Sequence, residues 1–377
     1  SPLKQDRYFK RDLLINLREK NSSKKKILVS GAFGNIGLSI LDELLARGYY
    51  VIVFDLPKRN NIRKFHKFKK KWADRITESW GDLRNYDDVE KSIENIDAVI
   101  HLGAIIPPLS SKNPKMAYEV NVGGTLNIIK AMEKKSPAAH LIYPSSFTIY
   151  GTRQDNSIIS LEDAFNPMSD YAKHKFEAEQ LIQSSKLKWT ILRLTWIPSL
   201  HDLKSFRAMF DIPLETKIEF CFTKDAGLAL VNALDNSDAF YKKFNIGCGS
   251  SCRTNYGEYL MEMLEIFGLG RNAVPAEAFS HKGTFGGWIK PQGAQRVLKY
   301  QGKSLKCFYQ EMKETYRIYR FLIKIVKPLV KLIITKFSPY IKNYKNYHTI
   351  SEYLHSINEY QFDSNIIENV VHKSVSS

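Results

Sequence analysis

From Lys24 onward the chain alternates short, β-branched apolar runs with stretches whose apolar residues recur at three- and four-residue steps. Runs of the first kind read as strands and stretches of the second as amphipathic helices. The candidate strands are 27–30, 50–54, 76–80, 98–102, 140–143 and 190–194. The first carries Ile27, Leu28 and Val29 without a polar interruption, as expected of a central strand covered by helices on both faces. Six such strands interleaved with helices predict βαβ units and an α/β fold with a doubly wound parallel sheet.

After about Pro198 the rhythm changes. Segments 225–233 and 256–267 read as helices, separated by the Gly/Ser/Cys stretch from Gly247 to Cys252. A smaller second domain packed beside the sheet would place a cleft at the strand ends, where open α/β sheets hold ligands. The predicted organisation is an N-terminal extension over 1–23, a sheet domain over 24–200 and a substrate-binding region over 201–305. Within that region a helix near 225–234 is expected to return to the sheet domain, and 306–377 form a basic amphipathic tail.

Composition narrows the class. With 44% hydrophobic and 25% charged residues among 377, the chain reads as folded. Its four cysteines, at 221, 248, 252 and 307, are too few for a disulfide scaffold, and none form a Cys-x-x-Cys pair. No metal site is expected, and a reducing cytosol fits. The first 26 residues are polar and basic, so no secretory signal is expected, and no apolar run reaches the ~18 residues of a membrane span. Lys and Arg number 56 against 39 Asp and Glu, a net charge of +17 that attracts acidic partners.

The first strand runs into Gly31-Ala32-Phe33-Gly34-Asn35-Ile36-Gly37 and then into a helical pattern. Glycines allow a tight turn and close approach to a pyrophosphate, and the helix start offers unpaired N–H groups. The Gly-x-x-Gly-x-x-Gly spacing differs from the Gly-x-Gly-x-x-Gly fingerprint. Asp55 follows the second strand, about 20 residues beyond the loop, where an acid can accept from ribose hydroxyls and repel a 2′-phosphate. NAD is therefore expected, with NADP the alternative because Lys58 and Arg59 follow closely.

Further along stand Gly81-Asp82-Leu83, His101-Leu102-Gly103-Ala104, Asn121-Val122-Gly123-Gly124-Thr125, Ser145-Ser146-Phe147-Thr148-Ile149-Tyr150-Gly151, Tyr171-Ala172-Lys173-His174-Lys175 and Leu192-Arg193-Leu194. In this order and spacing they resemble the extended short-chain dehydrogenase/reductases, the NAD-dependent epimerase/dehydratase group, over roughly residues 24–305. The resemblance implies a Rossmann-type sheet domain.

The chemistry can be argued from the residues. Hydride transfer at a carbinol carbon requires a proton to leave or join the oxygen, and a tyrosine of ordinary pKa ~10 is a poor base at neutral pH. A nearby lysine ammonium would lower that pKa. Tyr171 and Lys175 are four apart on a helical pattern, on one face, and Ser146 can hold the substrate oxygen near the phenol. The resemblance assigns Tyr171 as acid/base, Lys175 also to the nicotinamide ribose, Ser146 to the reacting oxygen and Asn121 to support of the site. It implies that Asn35 and Ile36 meet the pyrophosphate, that Asp82 and Leu83 border the adenine, that Leu102, Gly103 and Ala104 line the cofactor cleft, and that Pro198 borders the nicotinamide. Gly31, Phe33, Gly34 and Gly37 complete the cofactor set, and Ser145 and Thr148 are assigned to substrate.

Dehydratases of this group carry an Asp-Glu pair after the active-site Ser/Thr, where this chain has Phe147 and Thr148, so a 4,6-dehydratase is not expected. Nucleotide-sugar epimerases devote a long segment after the sixth strand to their substrate, whereas Asp225 here follows Arg193 by only 32 positions. Net oxidation or reduction of an alcohol/carbonyl pair therefore ranks first. A nucleotide-sugar epimerase is the close alternative, and a non-catalytic NAD(P)-binding redox sensor the second. The resemblance also suggests a homodimer.

Nine Lys and Arg between Lys58 and Arg75 alternate with Phe65, Phe68 and Trp72. A solvated helix face is expected there, and nucleic acid is not. In the tail, Arg317, Arg320, Lys324, Lys327 and Lys331 oppose Ile318, Phe321, Leu322, Ile325, Leu329 and Leu332, with a break or kink at Pro328. Segment 313–345 could lie on an anionic membrane, making the protein cytoplasmic or peripheral, or its apolar stripe could pack on the second domain or another subunit.

Overall fold

The computed structural model describes residues 25–153, 157–198, 208–291, 293–321, 323, 327, 337–341 and 348–357. The proposed extension over 1–23 and the kink at Pro328 lie outside them.

Seven parallel strands form the main sheet: β1 (Lys26–Ser30), β2 (Tyr50–Asp55), β3 (Ile76–Trp80), β4 (Ala98–His101), β5 (His140–Ser146), β6 (Lys188–Leu194) and β8 (Lys242–Ile246). Between the last two in sequence lies β7 (Lys217–Glu219), which pairs antiparallel with β9 (Arg253–Asn255) in a separate ladder. The main order is β3-β2-β1-β4-β5-β6-β8. The chain reverses direction of travel across the sheet between β1 and β4, which opens a crevice at the carboxyl ends of those strands. Along β1 the side chains alternate: Ile27 and Val29 enter one core and Leu28 the other, so both faces are covered.

Two differences from the sequence reading bear on the site. First, β5 continues past Tyr143 to Ser146, because Pro144, Ser145 and Ser146 stay in register with Leu192, Arg193 and Leu194 of β6. Ser146 is therefore the last residue of a central strand. Second, a seventh strand, β8, joins the edge at β6 from within 201–305. Lys242 and Lys243 open it on the exposed edge and only Phe244 to Ile246 are buried, too short an apolar run to read as a strand.

The long helices are α1 (Asn35–Ala46), α2 (Arg59–Trp72), α3 (Tyr86–Ser92), α4 (Gly124–Lys135), α5 (Asp170–Ser184), α6 (Thr223–Asn232), α7 (Tyr256–Ile266) and α8 (Leu305–Thr315). Helix α6 packs along α1, and α8 packs on α7. Helix α5 starts where the Ser169 side chain accepts from the Ala172 N–H at 3.2 Å, an N-cap that sets the phase of the residues following it. In the basic helix α2, Phe65 is buried while Lys58, Arg59, Arg63, Lys67, Lys70 and Lys71 are exposed, as a solvated face requires.

Candidate active site

At the end of β1 the chain turns at Gly31, whose φ of +65° lies in the left-handed region; a Cβ there would stand 2.8 Å from the backbone of Gly103. A Cβ at Gly37 would stand 2.3 Å from the Ala32 carbonyl oxygen. The loop thus lies close against α1, and the helix N-terminus at Gly34 has no side-chain cap and no acid in its first turn. Free N–H groups and a positive helix end facing a bare loop are what a pyrophosphate needs, so this cradle fits a dinucleotide. Gly37→Ala is expected to weaken NAD binding at least about tenfold, measured by calorimetric titration, because the added methyl must push the loop away from α1.

Asp55 closes β2. Its carboxylate accepts from the Phe33 N–H at 3.0 Å, the Leu56 N–H at 2.8 Å and the Asn61 amide at 3.1 Å. Lys64 donates to the Phe33 carbonyl at 2.7 Å, so the acid and the glycine loop form one unit. Leu83 wedges between Gly103 and Gly124, while the Asp82 carboxylate is taken by Arg84 at 2.6 Å. Leu102, Gly103 and Ala104 line the half-buried continuation of β4. Pro198, also half-buried, follows the bridge that joins Trp196 to Phe220.

Across the crevice, the Ser146 hydroxyl stands close enough to the Tyr171 phenol to favour its ionised form. Thr148 donates to the Ser146 oxygen from its hydroxyl at 2.9 Å and its N–H at 3.3 Å, which leaves the Ser146 proton for Tyr171 or a substrate oxygen. Lys175, one turn beyond Tyr171, is buried and donates to the Pro144 carbonyl at 2.7 Å. Its ammonium lies 4.4 Å from the centre of the Tyr143 ring and 5.9 Å from that of Tyr171. Asn121 sits in a π-turn, Glu119–Gly123, and clamps Ile105 by accepting from its N–H at 2.7 Å and donating to its carbonyl at 2.9 Å. The loop after β4 is thereby held.

Two expectations need correction. Burial pushes the Tyr171 phenol above the ordinary tyrosine value, against the opposing influence of Ser146, whereas the sequence reading has Lys175 lower it. The reason is geometric: the ammonium is turned to Pro144, and desolvation dominates the phenol. In this state Tyr171 is a proton donor. Ser145, assigned to substrate, alternates with Ser146 along β5 and so faces the other side of the sheet, where its hydroxyl is buried without a hydrogen-bond partner.

A family model described as the NAD dependent epimerase/dehydratase family matches residues 27–207. UDP-glucose 4-epimerase of Pisum sativum is 30% identical over 186 residues, 46% of this chain and 52% of the relative. A human relative, the decarboxylating sterol-4-alpha-carboxylate 3-dehydrogenase, is 28% identical over 159 residues, 42% of this chain and 39% of its own. The chain thus spans about half the length or less of these curated relatives. Among solved structures, MoeE5 in complex with UDP-glucose and NAD superposes with a TM-score of 0.63 at 22% identity, covering 78% of this chain and 98% of that one. That likeness bears out the Rossmann-type fold.

Within this domain the structure adds residues that sequence reasoning left out. Burial holds the His101 ring neutral, with its pKa pushed down to about 3. Thr125 donates to the Asn121 carbonyl at 2.7 Å and must therefore accept from His101 Nε2 at 3.0 Å. Nδ1 is then an acceptor for the Ser30 hydroxyl at 2.6 Å, which in turn accepts from the Gly103 N–H at 3.2 Å. This chain of one polarity ties the cofactor-side loop to the turn carrying Asn121. Its only sequence signal is a histidine closing the apolar run 98–101.

Burial lowers Lys175 to about 7, with the Glu179 charge opposing. In the unfolded chain a lysine titrates near ~10.4, so between about 7 and that value the unfolded state binds a proton that the folded state does not. Stability should rise with pH across this window by at most about 1.4 kcal/mol per pH unit, and stay flat below it, where both states are charged. Lys175→Met should abolish this contribution. Denaturant midpoints of wild type and variant, compared at pH values on both sides of 7, check it.

Proposed function

We propose that the chain is an NAD-dependent enzyme that moves hydride at a secondary alcohol carbon of a nucleotide sugar, with epimerisation as the net reaction. The observation that carries this reading is the placing of Ser146 beside the Tyr171 phenol, with Lys175 one turn away, on the crevice side of a glycine cradle that fits a dinucleotide. Bound NAD supplies a hydride acceptor that can return what it takes. The residues of the chain do the rest. Ser146 holds the substrate oxygen, and Tyr171, ionised once the Lys175 ammonium turns to it from Pro144, takes the alcohol proton and gives it back when the ketone is reduced. Asn121 keeps the loop at Ile105 in place. NAD rather than NADP is favoured by the Asp55 carboxylate beside the loop.

The sequence reading ranks net oxidation first and epimerisation second; the likeness to UDP-glucose 4-epimerase favours the reverse order. Net oxidoreduction stays as the second reading because the stretch between Arg193 and Asp225 is short and one relative is a dehydrogenase. Phe147 and Thr148 offer no carboxylate for elimination of water. We place the protein in the cytoplasm; among its described residues no helix is long and apolar enough to cross a membrane.

The test is incubation with a panel of UDP-hexoses and NAD. An epimer formed without accumulation of NADH supports the proposal. Stoichiometric NADH would make the protein a net dehydrogenase, and tight NAD binding without conversion of sugars, alcohols or ketones would make it a sensor.

A further inference from the structure

The helical residues beyond α8 are turned in a way that the amphipathic pattern alone does not reveal. Tyr316 and Ile323 pack on the core, and the Tyr316 ring meets Phe267 edge-on at 5.2 Å. Arg320 pairs with Glu265 at 3.4 Å, and the Lys327 ammonium lies against Gly270. Positions 316, 320, 323 and 327 are spaced by four, three and four, so one stripe containing two cations faces the body of the protein. The opposite side therefore carries the apolar residues. Ile318 is 72% exposed and Phe321 68%, with Tyr319 beside them at 61%. The expectation that this stripe packs on the second domain is thus corrected at Ile318 and Phe321.

We infer that this outward apolar face of Ile318, Tyr319 and Phe321 docks the protein on the surface of an anionic lipid bilayer. Charge selects the occupant. Between Lys313 and Lys345 the sequence has nine Lys and Arg against one acid, Glu314, and the whole chain carries +17. Arg317 is exposed at the border of the apolar face, where it can meet headgroups while Ile318 and Phe321 enter the acyl boundary. A second copy of the chain would bring the same cationic border against itself, and like charges facing each other oppose pairing. A bilayer with anionic lipid meets both the apolar and the cationic requirement, each basic residue near the surface adding to the attraction. The face is suited to lying in the interface rather than to spanning it.

The experiment is sedimentation of the full chain with phosphatidylcholine vesicles, with and without phosphatidylserine, alongside the double variant Ile318→Asp/Phe321→Asp. Both positions are exposed, so the variant should fold, which its thermal unfolding checks independently of any catalytic reading. The expected result is binding to phosphatidylserine vesicles that added salt weakens and that falls at least about tenfold in the variant. Equal sedimentation with and without vesicles, or equal binding of the two proteins, overturns the proposal. A wild-type dimer that the variant converts to monomer, without vesicle binding, overturns it in favour of a second copy.

Discussion

Tyr171→Phe should lower kcat by roughly 10³-fold while leaving NAD affinity within about twofold. The substitution removes one oxygen, the atom beside Ser146, and leaves the ring packed where it is. The phosphate cradle, built from Gly31, Gly34 and Gly37, is on the other side of the crevice and should not respond. Ser146→Ala should cost less, about 10²-fold, because it removes a donor that positions and stabilises rather than the group that carries the proton. Single-turnover kinetics with the converted UDP-hexose, together with NAD titration of each variant, check the pair. Turnover of Tyr171→Phe within about tenfold of wild type would remove Tyr171 from the proton-transfer role.

The second large effect concerns the helix that carries Tyr171. Arg193 on β6 and Glu179 on α5 are wholly buried and meet in a bidentate pair, with nitrogen–oxygen distances of 3.0 and 2.7 Å. The guanidinium also donates to the Tyr150 hydroxyl at 2.6 Å, which donates to Asn245 on β8 at 3.0 Å. One network therefore pins α5 to β6, to β8 and to the turn after Ser146. Glu179→Leu alone should cost about 3–5 kcal/mol, because it leaves a buried cation without its counter-charge. Arg193→Met/Glu179→Leu should recover most of that loss, since the double variant buries no charge. Denaturant unfolding of the single and double variants separates the terms. A single variant that loses under about 1 kcal/mol would show that the pair does not hold the helix.

Much of the site was readable because its parts are local. Tyr171 and Lys175 share a helix face by spacing alone, and the glycines stand between an apolar strand and a helical pattern. Asp55 was readable for the same reason, as the acid that ends β2. The strand β8 was not, because its exposed edge lets Lys242 and Lys243 replace the apolar residues of an inner strand. His101 and Glu179 gave little signal, since their partners lie in segments far along the chain.

The sequence by itself determined the order of strands and helices, the glycine turn and the four-residue step between phenol and ammonium. Those depend on steric and periodic rules acting over a few residues. Only the tertiary structure decided that Ser146 meets Tyr171, that Lys175 turns to Pro144, that burial raises the phenol, and that Ile318 and Phe321 face outward. Each of these depends on which distant segments exclude water from a group, and a hydrophobic pattern marks a face without stating what covers it.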